Sequence, residues 1–387
     1  MTPALVSMAF KIQHITSTPQ EAANQLGMVM GLGALFALIC NPLVGRFSDR
    51  TTSRLGMRRP WILGGVLVAL GALAIIGVTT NVWIVLLCWC LVQASMNGAL
   101  AAITASLPDQ VLVHRRGKVS GILGMTTPLA ILAGTFVVNF LGNDLIRFVV
   151  PGIIAVVLTL AFFFTVKDRV LTIKPTNSYS VKEFFGSFVF NPVKHKDFAW
   201  TWLTKFLIMF GYIGIATFMP LYLTEKFGLS EQDVISTIVL AHVASTLMVV
   251  VSGPIGGVWS DRVGKRRIFV AASGVIMVVG LLILAFAPSV ALVIVAQGVI
   301  GFGFGAFASV DYALSTQVLP NEADTAKDLG VLNMANALPA SIAPAIAPAI
   351  IAIGAGTAIG GYTLWYLFGA VVSLAGAVLV YRIKGVK

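Results

Sequence analysis

Apolar residues in this chain gather into long runs separated by short polar stretches. Runs near 22–46, 61–80, 82–107, 119–142, 145–166, 198–224, 232–257, 268–287, 290–318, 328–353 and 359–382 each reach the roughly 20 residues that a helix needs to cross a bilayer. The pattern predicts eleven complete spans in an all-α membrane protein. Ahead of them, residues 1–10 are apolar and the chain turns polar at Lys11. Ten helical residues rise about 15 Å, half of a hydrocarbon core of about 30 Å. This head therefore reads as the outer half of a first helix whose inner half precedes the recorded start. No basic segment leads into it, as a signal peptide requires. The complete spans are accordingly numbered 2–12, with a genuine eleven-span protein as the alternative.

Composition fits that pattern. Hydrophobic residues make up 58% of the chain, charged residues only 11%, and mean hydropathy is +0.93, whereas soluble domains carry about 25% charge. The net charge of +11 does not point to nucleic acid. With alternate loops assigned to one side, 22 of the 26 Lys and Arg fall together, all but Lys11, Arg147, Lys205 and Lys226. The positive-inside rule makes that side cytoplasmic, along with the C-terminal Lys384 and Lys387, in a multi-pass protein of the cell (inner) membrane. Cys40, Cys88 and Cys90 all lie within spans, and residues two apart point to different helix faces, so neither a disulfide nor a metal site is expected. The polar segment 167–197, with Lys182, Lys194 and Lys196 and a patch around Phe184, Phe185, Phe188 and Phe190, divides halves 1–166 and 198–387. It offers room for a short helix lying on the membrane surface.

One loop signature occurs twice, with corresponding residues 212 positions apart. The first copy runs Gly45-Arg46-Phe47-Ser48-Asp49-Arg50 and continues through Arg54 to Gly56, Arg58 and Arg59. The second runs Gly257-Val258-Trp259-Ser260-Asp261-Arg262-Val263-Gly264-Lys265-Arg266-Arg267, without the first copy's four extra residues. Each lies between two long apolar runs, the layout of a duplicated secondary transporter.

The doubled signature, the six-plus-six layout and the basic central loop resemble the major facilitator superfamily. Its loop motif, Gly-x-x-x-Asp-Arg-x-Gly-Arg-Arg, is matched by Gly45, Asp49, Arg50, Gly56, Arg58 and Arg59 around the insert, and by Gly257, Asp261, Arg262, Gly264 and Arg266. The resemblance covers essentially the whole chain. It implies two six-helix halves related by pseudo-twofold symmetry, helix 1 being incomplete, and a monomer without a cofactor. Ser48 to Pro60 resembles the longer loop of sucrose–proton symporters and related glycoside transporters. Two departures from the superfamily's pattern matter, the first weakening a proton mechanism borrowed from relatives and the second weakening a drug-efflux reading. The helix 4 arginine of many proton-coupled members is absent from Leu91–Leu100, and Pro128 lacks the glycine neighbour of the helix 5 antiporter motif.

In the family, Asp and Arg of such loops resemble a cytoplasmic latch that pairs in one state and separates in the other. Asp49-Arg50 and Asp261-Arg262 are read that way, whereas Arg54 and Arg58 read as topology charges. Asp311 is the acidic residue well inside a span, and intramembrane carboxylates usually face the bundle interior and mark a relay. It is the candidate proton carrier, with the proton as coupling ion, and a structural pairing is the competing role. His242, mid-span in helix 8, either titrates or is a hydrogen-bonded core residue. Lys205 either snorkels to the interface or pairs with Asp311. Asp109 reads as a boundary residue at the end of helix 4.

A substrate cavity is expected from Gln93 and Asn97, an i,i+4 pair on one face of helix 4, with Thr126, Thr127 and Asn139 on helix 5. Tyr212, Gln297, Asn333 and Asn336 on helices 7, 10 and 11 complete it, with Lys205. Amides, hydroxyls and aromatic rings suit a neutral polyol. The bland reading is that amides join helices and that Trp and Tyr form interface belts, as expected for Trp200 and Tyr222. Gly301, Gly303, Gly305, Pro339, Pro344 and Pro348 are either bends or packing sites. Together these features point to a secondary transporter, most simply a proton-coupled importer of a sugar or glycoside. The alternatives are an exporter of an amphipathic compound and a non-transporting sensor. No nucleotide-binding loop or catalytic triad spacing is present, and a membrane hydrolase would need clustered mid-span groups.

Overall fold

A computed structural model of the protein describes residues 2–110, 126, 129–166, 168–171, 190–319 and 325–385. Among the described residues twelve α-helices follow one another: α1 Thr2–Ile15, α2 Pro19–Asp49, α3 Arg59–Val78, α4 Val82–Gln110, the short apolar α5 Leu129–Asn139, α6 Asp144–Thr165, α7 Lys196–Phe227, α8 Glu231–Val263, α9 Arg266–Ala285, α10 Val290–Gln317, α11 Thr325–Ala355 and α12 Gly361–Leu379. Ten of them are long and apolar enough to cross a membrane among the described residues, and the described residues contain no strand. These ten match ten of the eleven runs. The eleventh is described only in α5, and Thr127, Arg116, Lys182 and the patch 184–189 lie outside the described residues.

The ends of the helices have local causes. Thr18, Asn143 and Ser230 accept the amides of Glu21, Ile146 and Asp233 and so cap α2, α6 and α8, each satisfying a free N-terminal donor. Gly228 and Gly264 end α7 and α8 at φ 62° and 67°, the left-handed conformation that a residue without Cβ adopts freely. Exposed Leu87, Phe140, Leu158 and Phe164 give the bundles an apolar outer surface of the kind lipid covers.

The chain forms two compact units, Met1–Ser178 and Tyr179–Lys387. In the first, α2 and α3 pack on α4, α3 on α6, and α1 on α6 and α2. In the second, α8 and α9 pack on α10, α9 on α12, and α7 on α12 and α11. Each packing pair of the first half recurs in the second when six is added to its helix numbers, α1 on α2 recurring as α7 on α8. The 212-residue spacing also brings Pro42 of α2 into register with Pro254 of α8.

α1 corrects one expectation: it continues past Lys11 to Ile15. Lys11 is buried, not the polar exit of the helix; its ammonium donates to Gly77 O (3.1 Å) and pairs with Asp144 (3.3 Å). Gly301, Gly303 and Gly305 are packing sites inside a continuous α10. A Cβ at Gly301 would lie 2.5 Å from Ser245 O on α8, and one at Gly303 2.8 Å from Ser273 O on α9. Pro339, Pro344 and Pro348 likewise lie within a continuous α11.

Candidate functional site

The two signature loops close each half by the same device. Arg58 pairs with Asp49 at 2.5 Å and donates to Ser48 Oγ at 2.6 Å. Arg266 pairs with Asp261 at 3.2 Å and donates to Ala313 O at 2.6 Å near the end of α10. The next arginine in each copy reaches the last helix of its half. Arg59 donates to Val166 O just after α6, and Arg267 to Ile383 O (2.7 Å) just after α12. In the first half Asp168 Oδ2 also accepts the amides of Arg58 (2.6 Å) and Arg59 (2.9 Å), where the free donors of α3 favour an anion. At Gly56, φ 107°, a Cβ would run into the Asp168 carboxylate.

These contacts correct the reading of Arg58 as a topology charge. Its side chain is only 6% exposed, against 53% for Asp49. The aspartates pair with arginines nine and five residues downstream, not with the adjacent Arg50 and Arg262. Arg54 lies in the loop between α2 and α3.

The opposite end of each half is also tied. Besides Lys11, Asp144 takes His14 at 3.2 Å, which joins α6 to α1. In the second half Glu225 of α7 accepts from Tyr362 Oη of α12 at 2.7 Å, and Lys226 donates to Ala285 O at 3.2 Å at the end of α9. In each half a lysine of the first helix thus caps carbonyls at the end of the third, as a cation does favourably there. Arg147 is buried and donates to Leu141 O at 2.8 Å. The four basic residues that break the positive-inside pattern are therefore each engaged inside their own half.

Lys205 of α7 and Asp311 of α10 meet at 2.8 Å with side chains 11% and 7% exposed. A buried pair of this kind survives because each charge answers the other. Lys205 thus pairs rather than snorkels. Tyr212, about two turns further along the same face of α7, stacks on Phe304 of α10 with centroids 4.0 Å apart and planes at 3°. His242 is half-buried on α8.

Gln93 and Asn97 share a face, as the i,i+4 spacing requires, and Asn97 Nδ2 donates to Gln93 O at 2.9 Å. Asn41 of α2, which the sequence reading passed over, donates to Asn97 O at 3.4 Å; its only sequence signal was an amide beside Pro42 in mid-run. Asn333 is exposed on α11 with Asn336 3.5 Å away, and Gln297 is half-buried on α10. Tyr222 belongs to no interface belt: it is fully buried and donates to Leu284 O at 2.8 Å. Trp200 is partly buried against the core formed by Ile208, Phe307 and Leu314. Asp109's side chain and Thr127 lie outside the described residues. Asp328, in the first turn of α11, is a second buried carboxylate, only 5% exposed. It escaped notice because it stands at the edge of an apolar run, where charge is ordinary.

A duplicated helical bundle with an apolar outer surface, loops tied by repeated arginines and an ion pair in its interior is the build of a polytopic membrane protein. The chain belongs to the Major Facilitator Superfamily, whose family model matches residues 2–256 and 235–386. It is 23% identical over 261 residues to Multidrug resistance protein 2 of Bacillus subtilis, a match covering 66% of this chain and 62% of that protein. A shorter match, 49% identical over 60 residues, joins it to an uncharacterized symporter of Synechocystis sp., covering 16% of this chain and 10% of that one. The matches thus span less than two thirds of these relatives' lengths. Among solved structures, the nucleoside transporter NupG aligns with TM-score 0.69 at 15% identity, over 99% of this chain and 98% of that one. A D-xylose-proton symporter aligns with TM-score 0.70 at 14% identity over the same shares. At such identities these structural likenesses speak for the fold alone.

Proposed function

We propose that the protein is a proton-coupled importer of a sugar or glycoside, working by alternating access as a monomer in the cell (inner) membrane with its C-terminus in the cytoplasm. The observation that carries the coupling is the buried Lys205–Asp311 pair. Protonation of Asp311 releases Lys205, so one proton changes the charge balance between α7 and α10 in the membrane interior. His242 on α8 is the second candidate proton group. Gln93, Asn97, Thr127, Tyr212, Gln297, Asn333 and Asn336 are proposed to contact substrate, their amides, hydroxyls and ring faces suiting a neutral polyol. No cofactor is called on, and the partners are the small-molecule substrate and the lipid bilayer. The long first signature loop and the short match to a protein named an uncharacterized symporter support this reading. The relative named Multidrug resistance protein 2 favours a second one, export of an amphipathic compound.

Proteoliposomes holding the full chain separate the two. Under an inward proton gradient, radiolabelled sucrose or methyl-glucoside accumulating above equilibrium, and leaking out when a protonophore is added, is the expected result. Proton-driven extrusion of ethidium without glycoside uptake selects the exporter. In the importer, Asp311→Asn abolishes uphill accumulation and leaves exchange measurable. Full accumulation in that variant removes Asp311 as the carrier.

A further inference from the structure

Trp89 of α4 is fully buried, and its indole Nε1–H has no hydrogen-bond partner among the described residues. The pyrrole edge of the ring lies against α2 at Gly33. A Cβ there would stand 2.5 Å from Trp89 Nε1 and 3.2 Å from Gln93 Cγ. Both side chains thus crowd one point on α2, with Gln93 one turn further along the same face of α4. The indole edge faces a helix that is described throughout, and the undescribed stretch after Gln110 begins 21 residues beyond Trp89, about 30 Å along α4.

Filling space does not explain an indole at this place. The 212-residue repeat puts Gly301 and Ser245 in the second half where Trp89 and Gly33 stand in the first. There α10 closes directly on α8, a Cβ at Gly301 falling 2.5 Å from Ser245 O. The corresponding helix pair therefore packs with no large side chain at this position. A buried donor left without an acceptor forfeits its hydration for nothing, a cost that the duplicate avoids. The side-chain acceptor beside it is Gln93 Oε1, which is loosely held at 3.4 Å from Asn97 Nδ2. Asn97 Nδ2 already donates to Gln93 O at 2.9 Å, so turning the Gln93 amide strands neither group.

We infer that Trp89 is a positioning residue for Gln93: with substrate bound, the indole N–H takes Gln93 Oε1 and the Nε2 hydrogens turn to the substrate. This rests on the reading of Gln93 as a substrate contact. An amide held in that sense offers donors only. The subsite then selects an oxygen that accepts, a sugar hydroxyl or ether oxygen, and rejects an N–H in the same place. A site built around a fixed hydrogen bond discriminates more sharply than an apolar one.

Ultraviolet resonance Raman spectra of the purified full chain, wild type minus Trp89→Phe, isolate this indole among the seven tryptophans and need no substrate. A free N–H is expected without ligand. Gln93→Glu is expected to shift it to the hydrogen-bonded signature, because a carboxylate accepts more strongly, and Gln93→Leu to leave it free. An N–H already bonded in the wild type, or unmoved by Gln93→Glu, overturns the contact. Should Trp89→Phe not fold, the difference between Gln93→Glu and wild type reads the same band. In proteoliposomes under an inward proton gradient, Trp89→Phe is expected to raise KM for sucrose or methyl-glucoside about fivefold with little change in kcat. In a Gln93→Leu background it is expected to add nothing. An equal rise in both backgrounds overturns the positioning role. A wild type that takes up neither glycoside counts against the substrate class alone, because the Raman comparison stands apart from transport.

Discussion

At the scale of single residues, the Lys205–Asp311 pair makes opposite demands on stability and coupling. Removing one partner strands a buried charge, which typically costs about 3–5 kcal/mol, whereas replacing both with apolar residues is often neutral. Lys205→Met is therefore expected to lower the melting temperature in detergent, and Lys205→Met with Asp311→Leu to recover most of it without recovering proton-driven accumulation. A double variant that restores neither stability nor folding would contradict the pairing. Asp168 makes a smaller contribution. Asp168→Ala strips α3 of its capping acceptor and is expected to cost about 1 kcal/mol, read as a lower melting temperature. Little of this was legible beforehand. Asp311 and Lys205 stood out as charges in apolar runs, but their meeting depends on the packing of α7 against α10. Arg58 and Asp168, 110 residues apart, become neighbours only because α6 returns beside α3.

At the scale of helices, glycine spacing decides how closely α8, α9 and α10 approach. Gly301→Ala drives a Cβ into the backbone of Ser245, and overpacking of this kind costs about 1–3 kcal/mol. Gly71 of α3 has open space around it, and there alanine is expected to gain about 0.5–1 kcal/mol through helix preference. A pair of melting curves tests both signs; equal shifts at the two positions would contradict the close α8–α10 contact. The existence and type of the helices were plain from run length, because lipid leaves a spanning backbone few options but to satisfy its own hydrogen bonds. Whether a glycine bends or packs was not legible, since both roles place the same small residue in the same apolar run.

At the scale of the whole molecule, the repeated arginine ties at one end, and the lysine ties at the other, make each half a clamped unit suited to moving as one body. With the signature loops in the cytoplasm, the loops holding Arg58, Arg116, Lys182 and Arg266 are expected to label from that side, and any one exposed outside breaks the two-half reading. Asp49→Asn and Asp261→Asn are expected to shift the population towards the inward-facing state. A cysteine placed at the cytoplasmic mouth then labels faster and one at the far mouth slower; unchanged labelling in the single and double variants leaves the loops with topology alone. The duplication, ten of the eleven spans and the family were written in the linear chain, because hydrophobic run length and a repeated loop are local properties. Folding decided which charges meet. Asp49 pairs with Arg58, nine residues downstream, and Lys11 turned inward to Asp144. Each depends on which helices pack side by side, and an apolar run that is hydrophobic on every face does not say which neighbour it will take.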